Sequence, residues 1–209
     1  MRIQILVDNP NSWIIPFAEE LKAELNRRGH DAYLLNSADM VRTGDILFLL
    51  SCEHIFKKLD LNTHNLVIHE SALPLGKGWS PVSWQILEGK SIIPITLFEA
   101  DMEVDSGVIY FQEHIELDGY ELVDEIRQKQ GLATIHLALK FVDGYNSLTS
   151  KTQEGESTYY PRRTPKDSEL DVNKTIVEQF NLLRVCDNER YPAFFQLGGS
   201  KYVVKIEKR

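Results

Sequence analysis

The stretch from Asn65 to Gly107 decides the fold and reads NLVIHESALPLGKGWSPVSWQILEGKSIIPITLFEADMEVDSG. It holds an apolar strand ending at His69, a loop rich in Pro and Gly, a short amphipathic segment, a second apolar strand and an acidic turn closing at Gly107. His69 and Asp105 each follow one of the two apolar runs. Because ligands and chemistry collect at the carboxyl ends of strands in an open α/β sheet, we expect both side chains to line one cleft.

The residue types alone leave several interpretations of His69 open. An imidazole beside a carboxylate is oriented for acyl or proton transfer, since the carboxylate fixes the tautomer and supports the cation. The alternative that residue types alone favour is a buried His bonded to a backbone carbonyl. A metal site would draw on Glu53, His54, His64, His69 and Glu70, but no pair of these has a zinc spacing, so we expect no metal.

The chain before this stretch predicts a βαβ opening. Strands are expected at Ile3–Val7 and Asp31–Leu35, with an amphipathic helix at Ser12–Arg28 between them, and a further buried strand at Ile46–Leu50. The first turn, Asp8–Ser12, contains no glycine. A dinucleotide phosphate is therefore not expected there.

The remaining pattern predicts one α/β domain: a Rossmann-like, mostly parallel sheet flanked by helices, with a short C-terminal helix and β-hairpin extension. We place the catalytic domain at residues 1–150 and the extension packed on it at residues 151–209. The other expected elements are a helical turn at His54–Leu59, strands at Leu66–Ile68 and Val108–Phe111, a long helix at Asp118–Phe141, a loop at Asp143–Ser157, a helix around Ile176–Leu183 and a hairpin from Phe194 to Ile206 that turns at Gly198-Gly199.

Composition limits the partners of this chain. Its 209 residues, 43% of them hydrophobic, suffice for one domain or one domain with a small appendage. The formal net charge of −8 argues against a nucleic-acid partner, which requires a basic surface. No apolar run approaches the roughly 18 residues of a membrane span, and the start MRIQILVDNP is unlike a secretory signal. We therefore expect a cytoplasmic protein with no nucleic-acid or membrane partner.

Two segments carry a family resemblance. The stretch VIHESALPLGKGWSPVSWQILEGKSIIPITLFEADMEVDSGVIY resembles the core signature of formyltransferases that use 10-formyltetrahydrofolate. The segment RRTPKDSELD, followed by NLLRV and YPAFF, is similar to the tail of family members that formylate nucleotide-linked amino sugars. The positions in register with the core signature are His69, Ser71, Leu73-Pro74, Lys77-Gly78, Pro81, Trp84, Gly89, Thr96, Asp101, Asp105 and Gly107.

The resemblance implies roles for individual residues. His69 would stabilise the oxyanion or take part in proton transfer, and Asp105 would orient His69 and help to deprotonate the attacking amine. Folate would be bound by the turn Asp101, Met102, Glu103 and Val104. The sugar nucleotide would be bound by Ser71, Lys77, Tyr160, Arg162 and Arg163, since Lys and Arg suit a diphosphate.

One position departs from the family pattern. The family's catalytic Asn lies two residues before the His, where this chain has Val67, a side chain that makes no hydrogen bond. Losing one oxyanion donor typically costs about 2.7–4 kcal/mol, a factor of roughly 10²–10³ in rate. His54 and Asn65 are the candidates to replace the missing Asn.

The resemblance implies an N-formyltransferase that transfers a formyl group from 10-formyltetrahydrofolate to the amine of a nucleotide-activated amino-deoxysugar. It also implies a homodimer and a place in surface polysaccharide or glycan biosynthesis. The initiator-tRNA branch is not expected, because its members carry a further C-terminal barrel and favour a basic surface. A catalytically weak or silent folate- or sugar-nucleotide-binding relative is the alternative that Val67 suggests, and a hydrolase releasing formate from the folate is a third.

Overall fold

The computed structural model describes residues 1–209 and contains ten strands and four α-helices. The strands are β1 (Arg2–Leu6), β2 (Asp31–Leu35), β3 (Gly44–Leu49), β4 (Asn62–His69), β5 (Lys77–Gly78), β6 (Ile92–Glu99), β7 (Ile109–Glu116), β8 (Tyr159–Tyr160), β9 (Ala193–Leu197) and β10 (Ser200–Val204). The helices are α1 (Ile15–Arg27), α2 (Pro81–Leu87), α3 (Val123–Gly144) and α4 (Phe180–Arg184). None of these helices combines the length and apolarity needed to cross a bilayer.

The main sheet has six strands in the order β2-β1-β3-β4-β6-β7. The first four strands are mutually parallel, which confirms the predicted α/β class. β6 runs antiparallel to β4, so that His69 lies opposite Thr96 and Leu66 lies opposite Glu99. β7 in turn runs antiparallel to β6. β4 and β6 are joined by a loop and the seven-residue α2, which return the chain at the edge where β4 ended.

His69 and Asp105 do not meet because two strands end at the same edge of the sheet, as the sequence suggested. Because β6 is antiparallel to β4, the end of β6 lies beside Leu66 and not beside the end of β4. The turn that follows β6 bonds to β4 through the amide of Ala100, which donates to the carbonyl of Asn65. Asp105 reaches His69 only because this turn folds back across β4.

The main core lies between the sheet and the helices α1 and α3. Alternate residues of the central strands, such as Ile3, Ile5, Leu66 and Ile68, point into it. The two helices pack closely, since a Cβ added to Gly131 would lie 2.3 Å from the ring of Phe17. A smaller cluster fills the opposite face and includes Leu6, Leu47, Leu49 and Phe56. That second face carries the loops that build the site.

Two predicted helical segments are shorter in the structure. The helical turn expected at His54–Leu59 is wrong for residues 54–58, and a single 3₁₀ turn occurs at Leu59–Leu61. The carboxylate of Asp8 accepts hydrogen bonds from the backbone amides of Glu53 and His54 and so holds this segment open. The helix expected around Ile176 begins only at Phe180.

The long helix begins later than predicted, at Val123 instead of Asp118. The carboxylate of Glu121 accepts the backbone amides of Asp118 and Gly119, which forms a turn at the place where a helical ladder was expected. The helix also continues past Phe141 to Gly144.

The C-terminal residues contact the main domain through strand pairing and through side chains. β8 pairs with β5, and Lys151 pairs with Ile109. A buried ion pair joins α4 to the loop before α3, with Arg184 Nη2 2.7 Å from Glu121 Oε2. The terminal hairpin is β9 and β10, antiparallel and turning at Gly198-Gly199 as predicted. A domain boundary at residue 150 stays a prediction.

Candidate active site

His69 ends β4 and is buried beneath the loop that follows it. Its Nε2 lies 2.8 Å from the carbonyl oxygen of Gly76. Because a carbonyl oxygen only accepts, Nε2 carries the hydrogen and donates it. Nδ1 is therefore the nitrogen that is free to take a proton. The bond to a backbone carbonyl and the neighbouring carboxylate, which were weighed as alternatives, are both present.

Asp105 is the carboxylate that accompanies His69. Its Oδ2 lies 3.9 Å from His69 Nε2, which is within ion-pair range but longer than a hydrogen bond. The same oxygen accepts a hydrogen bond of 2.9 Å from the backbone amide of Gly78. Both side chains are largely buried, with 9% of His69 and 13% of Asp105 exposed. This arrangement suits a general base whose cation needs support.

The turn that carries Asp105 has an unusual backbone. Asp105 has φ +52°, in the left-handed region that non-glycine residues seldom occupy. A Cβ added to Gly107 would lie 1.7 Å from the carbonyl oxygen of Glu99, so only glycine fits there. Lys77 Nζ donates to Ser106 Oγ at 2.7 Å, and Gln153 Nε2 donates to the carbonyls of Asp105 and Gly107, each at 2.9 Å.

Glu70, the residue after His69, is a titratable group that was considered only as a metal ligand. Its Oε1 accepts a hydrogen bond of 3.1 Å from Gln130 Nε2 on α3. Burial raises the pKa of the Glu70 carboxyl, and the charge of His69 only partly opposes this. No group of three or more His, Cys, Asp or Glu side chains converges as a metal site.

Val67 lies two residues before His69 on the same face of β4, as strand geometry requires. It packs against apolar side chains of both clusters on that face. Asn65, a candidate replacement, is buried on the same face, and its Nδ2 donates to the carbonyl of Leu59 at 2.8 Å. His54, the other candidate, is exposed and bonds Asp8 through Nδ1 at 2.9 Å. Neither is bonded to His69.

Three predicted substrate residues lie around the loop that covers His69. Ser71 is buried and its Oγ has no protein partner. Lys77 is buried, and its ammonium donates a hydrogen bond to the hydroxyl of Ser106 in the turn that carries Asp105. Tyr160 stacks on Trp84 and donates from its hydroxyl to Glu88.

The two predicted arginines differ in accessibility. Arg162 is exposed, with its guanidinium 4.6 Å from the ring centroid of Trp79 and 3.6 Å from the Glu53 carboxylate. Arg163 instead donates to the carbonyls of Val185 and Asp167 inside the extension. Only Arg162 is placed to meet a ligand from solvent.

The turn predicted to bind folate is on the surface. Met102 and Val104 are exposed apolar side chains, and Asp101 Oδ1 accepts the backbone amide of Met102. The turn thus exposes two apolar side chains just before Asp105 in the chain. A separate surface hollow lies between α1 and β2, lined by residues such as Val7, Ile15 and Leu34, and does not include His69.

Sequence reasoning missed Gln153 and Trp79, and it considered Glu53 only as a metal ligand. Gln153 lies in a segment that was interpreted as a solvated loop, and its contacts depend on the pairing of Lys151 with Ile109. Trp79 follows the Lys-Gly pair of the core signature, and an exposed Trp beside that pair is the one signal that could have marked it.

A comparison with protein families matches residues 24–138, more than half of the chain, to the family described as Formyl transferase. His69 and Asp105 both lie inside the matched segment. The methionyl-tRNA formyltransferase of Thermodesulfovibrio yellowstonii is 27% identical over 129 residues, which cover 60% of this chain and 42% of that protein. That of Alkaliphilus oremlandii is 26% identical over 161 residues, covering 74% and 51%. The chain spans about half the length of these curated relatives.

Solved structures share the fold over the whole chain. A methionyl-tRNA formyltransferase from Clostridium thermocellum has a TM-score of 0.83 at 21% identity and covers 100% of this chain and 94% of its own. A 4-N formyltransferase from Francisella tularensis has a TM-score of 0.73 at 20% identity, with coverages of 100% and 98%. HypX from Aquifex aeolicus, solved with tetrahydrofolic acid, has a TM-score of 0.78 at 17% identity, with coverages of 99% and 37%.

Proposed function

The chain belongs to the formyl transferase family, and from this premise we propose that it is an N-formyltransferase. It transfers a formyl group from 10-formyltetrahydrofolate to the amine of a nucleotide-activated amino-deoxysugar. The observation that carries the proposal is the buried pair of His69 and Asp105, with Nε2 and Oδ2 3.9 Å apart. The relative that was solved with tetrahydrofolic acid supports a folate as the formyl donor.

Two observations support a sugar nucleotide as the acceptor. Arg162, exposed and lying over Trp79, offers a planar cation beside the site, and such a guanidinium binds a diphosphate in two-point fashion. The formal net charge of −8 opposes a tRNA backbone.

In the proposed transfer reaction, Nδ1 of His69 is the nitrogen that accepts a proton, because Nε2 donates to the carbonyl of Gly76. A formyl group bound at the site offers an electrophilic carbon, which the free amine of the sugar attacks. Nδ1 of His69 then takes the proton that leaves the attacking nitrogen, and Asp105 stabilises the resulting imidazolium. The protonated ring afterwards returns that proton to the departing nitrogen of the folate. The exposed turn Asp101–Val104 and the apolar pair Met102 and Val104 would hold the folate ring.

A catalytically weak or silent relative is the second candidate, and Val67 favours it. The side chain of Val67 packs against apolar residues and itself offers no hydrogen-bond donor to an oxyanion at His69. Such a protein would bind the folate and the sugar nucleotide without turnover. The family resemblance also carries expectations of a cytoplasmic location, a homodimer and a role in surface glycan biosynthesis, of which the homodimer is tested by gel filtration.

The experiment is a formyl-transfer assay on a panel of acceptors. The purified chain is incubated with 10-formyltetrahydrofolate and nucleotide-linked 3- or 4-amino-6-deoxysugars, with initiator methionyl-tRNA as a separate arm. Formylated sugar is the expected product. Formylation of the tRNA alone would replace the sugar assignment, and binding by calorimetry with no product would favour the silent relative. Formate released without any amine acceptor would indicate a hydrolase.

A variant pair ties the activity to the site. His69→Ala is expected to abolish transfer, whereas His114→Ala, which removes an exposed imidazole on β7, should leave it unchanged. Full activity in His69→Ala would remove the role of His69.

A further inference from the structure

The turn that presents Asp105 requires support from outside its own sequence. Asp105 adopts φ +52° without being glycine, and the next-but-one residue, Gly107, is pressed against the carbonyl of Glu99. Backbone conformations of this kind persist only where surrounding groups hold them. One side chain from outside the turn holds the backbone of Asp105.

Gln153 is that group. Its side-chain amide donates one hydrogen to the carbonyl of Asp105 and the other to the carbonyl of Gly107, both at 2.9 Å. The two bonds bracket Ser106 and fix the direction of the peptides on either side of it. Within the turn, Ser106 Oγ donates to the carbonyl of Val104 at 3.0 Å, so the peptide entering Asp105 is held from inside and the peptides leaving it are held by Gln153. The backbone amide of Gly78 donates to the carboxylate of Asp105, and Lys77 donates to the hydroxyl of Ser106.

The position of Gln153 is itself set by backbone pairing. Two residues earlier, Lys151 exchanges both backbone hydrogen bonds with Ile109, at 2.8 and 2.9 Å. Ile109 begins β7, the strand that leaves the turn, so the segment carrying Gln153 is aligned along the turn's own exit. Gln153 Oε1 is buried with no protein donor, which is a cost that the two donated bonds must outweigh.

We propose that Gln153 is a positioning residue for the transfer reaction, acting through Asp105. By fixing the Asp105 backbone, it holds Oδ2 at 3.9 Å from His69 Nε2 and prevents the carboxylate from turning away. This inference rests on the proposed function, since it concerns the same His69–Asp105 pair. It also makes the C-terminal extension part of the site, because Gln153 lies beyond the family match that ends at residue 138.

The test uses Gln153→Met, which keeps the length of the side chain and removes both donors. We expect kcat to fall about 10–100-fold with KM for both substrates within about twofold, because displacement of a catalytic group by about 1 Å has an effect of this size. Gln153→Asn keeps an amide on a shorter side chain and should fall between Gln153→Met and the wild type. The exposed neighbour Glu154→Gln is the control and should match the wild type.

A double-variant comparison separates positioning from general damage. In an Asp105→Ala background, adding Gln153→Met should change kcat by less than about twofold, because its effect passes through Asp105. An equal loss in both backgrounds, or an unchanged kcat in Gln153→Met, would overturn the inference. Thermal unfolding of each variant checks that it is folded.

A structural readout keeps this test separate from the proposed function. If the wild type formylates no acceptor, the proposed function fails, and a crystal structure of Gln153→Met or Gln153→Asn judges the inference alone. A longer Asp105–His69 separation and a changed Asp105 φ are expected. An unaltered turn would overturn it.

Discussion

The imidazole of His69 has one nitrogen bonded to the carbonyl of Gly76 and the other open for a proton. The loop that covers the ring thus fixes its tautomer, while Asp105 supports its cation from 3.9 Å. The same face of β4 carries Val67, at the position where the family pattern that this sequence resembles would place an Asn. The structure therefore offers a nitrogen that can accept a proton, while Val67 offers no hydrogen-bond donor.

Restoring that donor is the first prediction. Val67→Asn should raise kcat about 10–100-fold, since one oxyanion donor is worth roughly 10²–10³ where its geometry is good. The variant should also lose about 1–3 kcal/mol of stability, because an amide replaces an apolar side chain in a packed pocket. Val67→Leu, which is close in size to Asn and has no hydrogen-bond donor, is the control for the rate. No gain in kcat would show that another group already serves.

Glu70 yields a second prediction. Burial raises the pKa of its carboxyl above the unfolded value of 4.5, so the folded state binds the proton more tightly and stability falls as the pH rises through that range. Glu70→Gln removes the charge and keeps an oxygen for Gln130. Its melting temperature at pH 7 should exceed that of the wild type by about 2–4 °C per kcal/mol gained, and the difference should shrink near pH 4. An equal or lower melting temperature at pH 7 would contradict this.

At the scale of elements, the site depends on one antiparallel strand and the turn after it. β6 runs back along β4, and the turn from Ala100 to Val108 brings Asp105 across to His69. Gly107 makes this turn possible, because its Cα passes directly over the carbonyl of Glu99.

Gly107→Ala should therefore destabilise the turn severely. The added Cβ meets a backbone atom at 1.7 Å, which no rotamer change relieves, and a loss of about 3 kcal/mol or more is expected together with loss of transfer activity. Gly144→Ala is the matched control, since its Cβ would lie 3.5 Å from Leu148 near the end of α3. Urea unfolding measures both. Near-wild-type stability of Gly107→Ala would show that the turn is not constrained as described.

The sequence was sufficient for several strands and the terminal hairpin, but not for the segment 54–58, the starts of α3 and α4 or the direction of β6. Strand β2 was predicted to the residue, and β1, β3 and the hairpin to within two residues, because apolar periodicity and turn glycines are local signals. The antiparallel direction of β6 was missed. The apolar pattern of a strand is the same in either direction, and the short helix before β6 did not reveal which way the chain returns. Gln153 was missed because its contacts arise from a pairing between segments distant in the chain.

At the scale of the whole molecule, the extension is joined to the main domain by a buried ion pair. Arg184 and Glu121 are 2% and 4% exposed at the side chain, and Arg184 also donates to the carbonyl of Glu121. Burial raises the pKa of the Glu121 carboxyl. Hydrogen bonds from Lys129 and from the Asp118 backbone outweigh the effect of burial and lower that pKa to about 2. Burial lowers the pKa of Arg184.

This pair predicts acid sensitivity of the whole fold. The unfolded pKa of Glu121 is 4.5 and the folded value about 2, so its stabilisation is complete above about pH 5 and is lost as the pH falls through that window. The contribution is at most about 3 kcal/mol. Urea unfolding at pH 6 should show Glu121→Gln to be less stable than the wild type, with a smaller difference at pH 3. Glu189→Gln, which breaks an exposed pair with Lys205, should change stability by less than about 1 kcal/mol at either pH.

The most direct test of the account is a single-turnover measurement of formyl transfer, with the acceptor found in the panel, by the wild type and His69→Gln. The variant His69→Gln should lose about 10²–10⁴-fold in the transfer rate, because the proton acceptor is gone. Its dissociation constant for the folate should stay within about twofold of the wild-type value, because His69 lies beneath the loop and not on the exposed turn Asp101–Val104. Transfer by His69→Gln at the wild-type rate would show that this buried imidazole does not accept the proton of the attacking amine.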